Sequence, residues 1–295
     1  MNIVIAVDDN YIEHAKTMLF SLAVNNAERM DVFLLYSSVS PENLDNFRRF
    51  VTNKCRGKLT PIPVPASIFE GVPVGKWLSA ETYYRLLTPE LLPEPLDRAL
   101  WLDADIIVKG DISEFYHQSF DGCLAVACPE ESMKNHRRLG LSDTHRYFNA
   151  GVILFDLPAM RKAISVSDIF DCVAVHGDHL DCMDQDVLNV LLMDRVKYAD
   201  AEVYNNGAFG FSVLNDSKMR ALKEKARIIH YWGSVKPWNA KGVNWADRYW
   251  WHYERKRGDR KKAVLSYRVK NAPVKAGAIA RELRFIVKGQ LKKLK

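Results

Sequence analysis

Ala99-Leu100-Trp101-Leu102-Asp103-Ala104-Asp105-Ile106-Ile107 carries an apolar run into two carboxylates one residue apart. The run reads as a buried strand. Side chains i and i+2 share one side of a strand, so both acids face one point at its carboxyl end. In open α/β sheets that edge is where ligands bind. Two hard oxygen donors with room for phosphate oxygens suit Mn²⁺ or Mg²⁺. The competing reading is a solvated turn, because Asp-x-Asp is short and common. The apolar flanks weigh against it, since burying unpaired carboxylates is costly.

On the amino-terminal side of this strand the pattern alternates strand and helix. Asn2 to Val7 reads as a strand and Tyr11 to Ala27 as a helix, with Ile12, Ala15, Leu19, Leu22 and Ala23 on its apolar side. Asp31 to Ser38 is a second strand, and Ser40-Pro41-Glu42 opens a helix with a cap and a proline at the first position. Leu59 to Val64 is a third strand broken by proline, and Glu81 to Leu87 reads as helical. Cys123 to Cys128, Val152 to Asp156 and Ile228 to Trp232 read as strands, and Asp184 to Met193 as a helix. This alternation predicts an α/β sandwich with a mostly parallel sheet.

The 295 residues suffice for one large domain plus an appendage, placed at 1–250 and 251–295. Ile3 to Val7 has no basic residue before it and ends at Asp8-Asp9, so no signal peptide is expected. No run has the length of a membrane span. Five cysteines, odd in number and without Cys-x-x-Cys, point to free thiols in a cytoplasmic protein. The net charge of +6 hides an asymmetry: Arg255 to Lys295 holds 15 basic and 2 acidic side chains, the preceding residues 27 and 34. An acidic body and a basic tail imply different partners.

Four further segments carry chemistry. Ala6-Val7-Asp8-Asp9-Asn10-Tyr11 joins a strand to a helix without Gly-x-Gly-x-x-Gly or a Walker lysine, which excludes dinucleotide and P-loop sites. Its acids suit a base or ribose, and Tyr11 a stacked base; a plain helix cap is the alternative. Tyr147-Phe148-Asn149-Ala150-Gly151-Val152 precedes an apolar strand, either as a turn or as a place where backbone approaches a ligand closely. Asp184-Gln185-Asp186 opens a helix, as dipole partners or as donors and acceptors for sugar hydroxyls. His230 and Lys236, in a loop with Trp232, Gly233 and Trp238, offer a metal ligand and a phosphate-neutralising cation.

Ala-x-Asp-Asp-Asn-Tyr, Leu-Asp-Ala-Asp, Tyr-Phe-Asn-Ala-Gly-Val, Asp-Gln-Asp-x-Leu-Asn and His-Tyr-x-Gly-x-x-Lys-Pro-Trp occur in that order. Together they resemble the family 8 glycosyltransferases, which include bacterial lipopolysaccharide galactosyltransferases and glucosyltransferases and the glycogenins. The likeness spans roughly residues 1–240 and implies a GT-A fold, a UDP-sugar donor and Mn²⁺, with Mg²⁺ as a substitute. By it, Asp103, Asp105 and His230 hold the metal, and Ala6, Asp8, Asn10 and Tyr11 hold uridine. Arg85 and Ala104 contact the donor, Gly233 and Lys236 bind the diphosphate, and Asn149, Ala150, Asp184 and Gln185 line the sugar pocket. The resemblance implies retention of anomeric configuration and gives catalytic roles to Lys236, Asp184 and Gln185. Gln185 lies where the family's proposed nucleophile or β-face stabiliser sits. An amide is a poor nucleophile, which favours a front-face reaction in which the leaving phosphate takes the acceptor's proton.

One departure concerns the acceptor. Pro129 aligns with an acceptor-binding acid of lactose-recognising relatives, with Glu130 and Glu131 beside it, and Glu131 to His145 is the expected acceptor loop. In the tail, Ile279, Leu283, Ile286, Val287, Leu291 and Leu294 recur at helical spacing among basic residues. That pattern fits an interfacial helix on an anionic membrane, with Trp245, Trp250 and Trp251 as added anchors. The expected protein is a cytoplasmic hexosyltransferase, peripheral on the inner face of the plasma membrane. It would move galactose or glucose from UDP-galactose or UDP-glucose to a lipid-linked surface glycan, with no nucleic-acid partner. The alternatives are a protein-glycosylating transferase and a catalytically silent nucleotide-sugar-binding membrane protein.

Overall fold

The computed structural model describes residues 1–65, 83–130, 133–208, 222–234, 236–239 and 246–270, with isolated positions 68, 220, 272, 276, 277 and 280. Ten strands are described: β1 (Asn2–Ala6), β2 (Asp31–Tyr36), β3 (Lys58–Pro63), β4 (Arg98–Leu102), β5 (Ile106–Val108), β6 (Ala125–Pro129), β7 (Phe148–Asp156), β8 (Val196–Tyr198), β9 (Asn206–Gly207) and β10 (Ile228–His230). Seven form one sheet in the order β3-β2-β1-β4-β7-β6-β8, and β5-β10-β9 form a second. Strands β3, β2, β1 and β4 are mutually parallel, as are β6 and β8, while β7 runs antiparallel to both its neighbours. The sheet is therefore mostly parallel, as expected from the alternation of elements.

The central strands are apolar throughout because both sheet faces are covered. Ile3, Ile5, Leu100 and Leu102 pack to one side with the helices α1 (Ile12–Asn25) and α2 (Pro41–Cys55). Val4, Ala99 and Trp101 pack to the other, with α3 (Leu157–Ala163), α4 (Val166–His176) and α5 (Asp184–Leu191). Ser40 caps α2 by accepting from Asn43 N–H, with Pro41 at the first position.

Sheet order decides where the site falls. β1 and β4 are parallel neighbours, so Ala6 and Asp103 emerge at one edge. β7 pairs Val152 with Leu102, and Asp103 N–H donates to Gly151 O at 3.0 Å, bringing Asn149 to Gly151 to the same edge. β10 pairs His230 with Ile106, one residue beyond Asp105.

Several expectations need correction. Of the helix expected from Glu81 to Leu87, Tyr83 is helical, residues 84–87 form turns and 81–82 lie outside the described residues; a separate helix, Thr88–Leu91, follows, since Pro89 favours a first-turn position. Phe148 to Gly151 belongs to β7 itself and does not form a turn before it. Trp250 is no membrane anchor: it is fully buried in α6 (Asp247–Arg257), its ring tilted against Trp238 and edge-on to Tyr231. That helix spans the boundary expected near residue 250 and is tied to α1 through Thr17, which donates to Glu254 at 2.9 Å. Residues 261–270 are helical; Trp245 and the apolar positions from Ile279 onward lie outside the described residues. All five cysteines are free.

Candidate active site

A cleft of about 510 Å³ opens at the edge where β1 and β4 end. Ala6, Asp8 and Tyr11 line one side, and Asp103, Ala104 and Asp105 the floor. Arg85, Asp184 and Lys236 close the rest. Asn10 lies outside this lining and donates to Asp8 Oδ2 at 2.9 Å, while Asp8 Oδ1 accepts from Tyr11 N–H at 3.0 Å. Asp9 turns away and braces Ser40 N–H at 3.0 Å. Tyr11 stands 40% exposed, its ring edge-on to Trp238.

The acid pair is held by its outer oxygens. Asp103 Oδ1 accepts from Trp101 Nε1 at 2.8 Å and from Arg85. The other arm of Arg85 reaches Asp184 Oδ2 at 2.7 Å, and its guanidinium lies over the Trp101 ring. Asp105 Oδ2 pairs with Lys236, whose ammonium also donates to Tyr231 O at 2.9 Å. The remaining oxygens converge on His230: Nε2 lies 3.2 Å from Asp105 Oδ1 and 3.6 Å from Asp103 Oδ2. His230 is 1% exposed, and Nε2 forms no hydrogen bond. Burial pushes the Asp184 carboxyl up to about 6; Arg85 opposes the rise and the Asp103 charge adds to it.

These three side chains are the one group among the described residues able to chelate a metal, with ligand atoms all within 4.8 Å of one another. The fit is chemical as well as geometric. Two carboxylates and an imidazole suit Mn²⁺ or Mg²⁺, and adjacent ligands of a six-coordinate ion stand about 3 Å apart. A buried, unbonded nitrogen facing two carboxylate oxygens is a costly arrangement that a cation relieves.

Gly151 makes the arrangement possible. A methyl group there would overlap His230 Cε1 and lie 2.8 Å from both His230 Nδ1 and Asp103 Oδ2. At Gly151 the space a side chain would need is taken by His230.

Beside the cleft runs a polar chain. Gln185 Oε1 accepts from Ala150 N–H at 3.0 Å, and its amide donates to Tyr147 OH at 2.9 Å and to Glu130 Oε2 at 3.4 Å. Asn149 Nδ2 donates to the same Glu130 oxygen at 3.1 Å. Tyr147 in turn donates to the buried Asp186, which pairs with Arg138 at 2.9 Å. Met183, immediately before α5, has φ 50° and ψ −114°, a strained conformation that aims Asp184 and Gln185 toward this edge. Gly233 takes φ +85° in the loop carrying Lys236. Sequence reading missed Glu130 as a partner of Gln185, the Tyr147–Asp186–Arg138 chain and Asn205, which meets His230 Nδ1 at 2.9 Å. Glu130, Tyr147 and Asp186 lie within segments the sequence marks, but their mutual contacts are long-range, and no local pattern marks Arg138 or Asn205.

The family model of Glycosyl transferase family 8 matches residues 2–242. The chain belongs to that family. As a family 8 glycosyltransferase it is 28% identical to the lipopolysaccharide 1,2-glucosyltransferase of Escherichia coli K12 over 81% of its own length and 73% of that protein's. It is 24% identical to the lipopolysaccharide 1,3-galactosyltransferase of Salmonella typhimurium LT2, covering 82% of this chain and 74% of that one. The crystal structure of galactosyltransferase LgtC, in complex with donor and acceptor sugar analogues, superposes with a TM-score of 0.74 at 24% identity, covering 87% and 96% of the two chains. The family 8 enzyme thus has the GT-A fold.

Proposed function

We propose that this glycosyltransferase is a retaining, metal-dependent hexosyltransferase that moves galactose or glucose from a UDP-sugar to a glycan acceptor in lipopolysaccharide or a related surface polysaccharide. The observation that carries the reading is the convergence of Asp103 and Asp105, on the floor of the cleft, with the buried His230 on one point. The lipopolysaccharide relatives include one named for glucose and one for galactose, which supports a hexose donor and leaves both sugars in play.

Asp103, Asp105 and His230 would hold Mn²⁺ or Mg²⁺. When bound, the ion supplies positive charge where the leaving diphosphate becomes negative. Ala6, Asp8, Asn10 and Tyr11 hold the uridine at the other end of the cleft. Lys236 and the Gly233 backbone meet the diphosphate, so Lys236 stabilises charge that grows in the transition state. Arg85 fixes Asp103 and Asp184, while Ala104 floors the donor site; Asn149, Ala150 and Asp184 shape the sugar pocket. Gln185 positions the sugar and is not the nucleophile, because its oxygen already takes the Ala150 N–H and an amide attacks poorly. The acceptor hydroxyl then approaches from the face the diphosphate leaves, and the leaving phosphate takes its proton.

Purified full-length protein incubated with a panel of UDP-sugars decides this. UDP release from UDP-galactose or UDP-glucose, abolished by chelation and by Asp103→Asn, is the expected result. No release from any sugar would favour the silent reading; release indifferent to chelation would remove the metal. Transfer to a protein instead of a glycan would favour the protein-glycosylating reading.

A specific observation favours an anionic membrane surface as a partner. On the helix at 261–270, Leu265 and Val269 are exposed one turn apart, between Lys261, Lys262, Arg268 and Lys270. Basic residues flanking an exposed apolar pair suit lipid headgroups. No described helix is long and apolar enough to cross a membrane. Co-sedimentation with anionic vesicles, lost in Leu265→Ser/Val269→Ser, is the expected result, and equal pelleting rejects it.

A further inference from the structure

We infer that Asn205 sets the tautomer of His230, and so prepares Nε2 as a metal ligand. The assignment follows from donors that admit no ambiguity. Gly151 N–H, a backbone donor, meets Asn149 Oδ1 at 2.9 Å, and Asn149 Nδ2 meets the Glu130 carboxylate at 3.1 Å. Both contacts fix which end of the Asn149 amide is oxygen. Asn205 Nδ2 then donates to that oxygen at 3.0 Å, which turns Asn205 Oδ1 toward His230 Nδ1 at 2.9 Å. An amide oxygen only accepts, so Nδ1 carries the proton. In a neutral imidazole the other nitrogen is then a bare lone pair. That nitrogen, Nε2, is the one facing Asp103 and Asp105 and lacking any hydrogen bond.

The fold sets this contact through register. β9 pairs parallel with β10, aligning Gly207 with His230, and Asn205 is the residue immediately before β9. Asn205 is 3% exposed, so water does not compete for the bond. The chain Gly151 N–H to Asn149 to Asn205 to His230 therefore links the backbone of β7 to the ligand nitrogen. Partners of this kind raise ligand basicity and fix ring orientation in metal sites.

The metal half of the inference rests on the proposed function; the tautomer half does not. Nitrogen-15 NMR of the imidazole in metal-free full-length protein, recorded across a pH series, tests the tautomer alone. His230, assigned through His230→Gln, is expected as the Nδ1–H form in the wild type and as the other form or a mixture in Asn205→Ala. A wild-type Nε2–H form, or an unchanged spectrum in Asn205→Ala, overturns the inference. Mn²⁺ titration followed by electron paramagnetic resonance supplies the second arm: Asn205→Ala should bind Mn²⁺ about 10- to 100-fold more weakly. Equal affinity in wild type and Asn205→Ala overturns the ligand-preparing role. A wild type that shows the Nδ1–H tautomer yet binds no Mn²⁺ refutes the metal reading and upholds the tautomer assignment.

Discussion

Replacing Gly151 by alanine asks the sharpest question of the site, because one methyl group suffices to break it. The added carbon would lie 2.8 Å from His230 Nδ1 and from Asp103 Oδ2, and closer still to Cε1. Comfortable carbon contacts begin near about 3.5 Å, so the imidazole must retreat by about 1 Å or the strand must shift. Neither is easy: His230 is tied to Asn205 at 2.9 Å, and β7 is paired with β4 from Leu102 through Arg98. Overpacking of this kind costs about 1–3 kcal/mol of stability. A 1 Å displacement of a site group costs about 100-fold in rate. The assay is UDP release at saturating Mn²⁺ alongside urea unfolding, with Gly177→Ala as the control, since a methyl group there meets nothing within 4 Å. Gly151→Ala should lose about two orders of magnitude in kcat while Gly177→Ala stays near wild type. A Gly151→Ala protein with kcat and Mn²⁺ affinity within about twofold of wild type would refute the packing argument.

Three other perturbations follow from the same contacts. Arg85→Lys keeps the charge but lacks the fork that spans Asp103 and Asp184, so kcat/KM should fall about 10- to 100-fold; wild-type kinetics would show that the bridge is dispensable. His14, stacked on Trp238, is held down to about 4 by burial, with the charge of Arg260 adding to the effect. Its folded value lies below its unfolded one, so its stability contribution is full above the ordinary imidazole range and is lost as pH falls toward about 4. Linkage assigns this group about 2 kcal/mol of lost stability between about pH 7 and pH 5, and His14→Phe should remove that share; urea midpoints equally acid-sensitive in both proteins would contradict it. Arg257 donates to Thr17 Oγ1 at 2.6 Å and to Glu13 Oε2 at 2.9 Å with its side chain fully buried, so Arg257→Met should cost about 3 kcal/mol in urea unfolding; an unchanged midpoint would mean that α6 docks by apolar contact alone.

The parts of the fold legible in the sequence are those with long apolar runs or strong punctuation. β1, β2 and β4 are continuous apolar segments, and Ser40-Pro41 announces α2 through a cap and a first-position proline. α3 and α4 were missed although their start signals exist: Asp156 caps α3, and Ser165 and Asp168 form a capping box. β5 and β9 have three and two residues, too few for any period to register. Within the site, Ala6, Asp8, Tyr11, Arg85, Asp103, Asp105 and Lys236 are legible from their motifs, and they meet in one cleft. Asn205 was invisible because its role depends on strand register between segments 25 residues apart, not on any pattern around it.

The distribution of charge around the acid pair explains why so many residues are needed to present two oxygens. Left alone, adjacent buried carboxylates repel and rotate toward water. Here Arg85 and Trp101 hold Asp103 by Oδ1, and Lys236 holds Asp105 by Oδ2. The cations thus sit behind the carboxylates, and each acid is left with one oxygen, Oδ2 of Asp103 and Oδ1 of Asp105, directed at His230 Nε2. The histidine is turned by Asn205 so that it presents no proton to them. Arg85 comes from the turn before β4, Lys236 from the loop after β10, and Asn205 from the approach to β9, so the focus exists only where the large and small sheets meet. A site built this way has its donor oxygens oriented before any ion arrives, and the reorganisation that would otherwise oppose binding is carried by the folding of the two sheets.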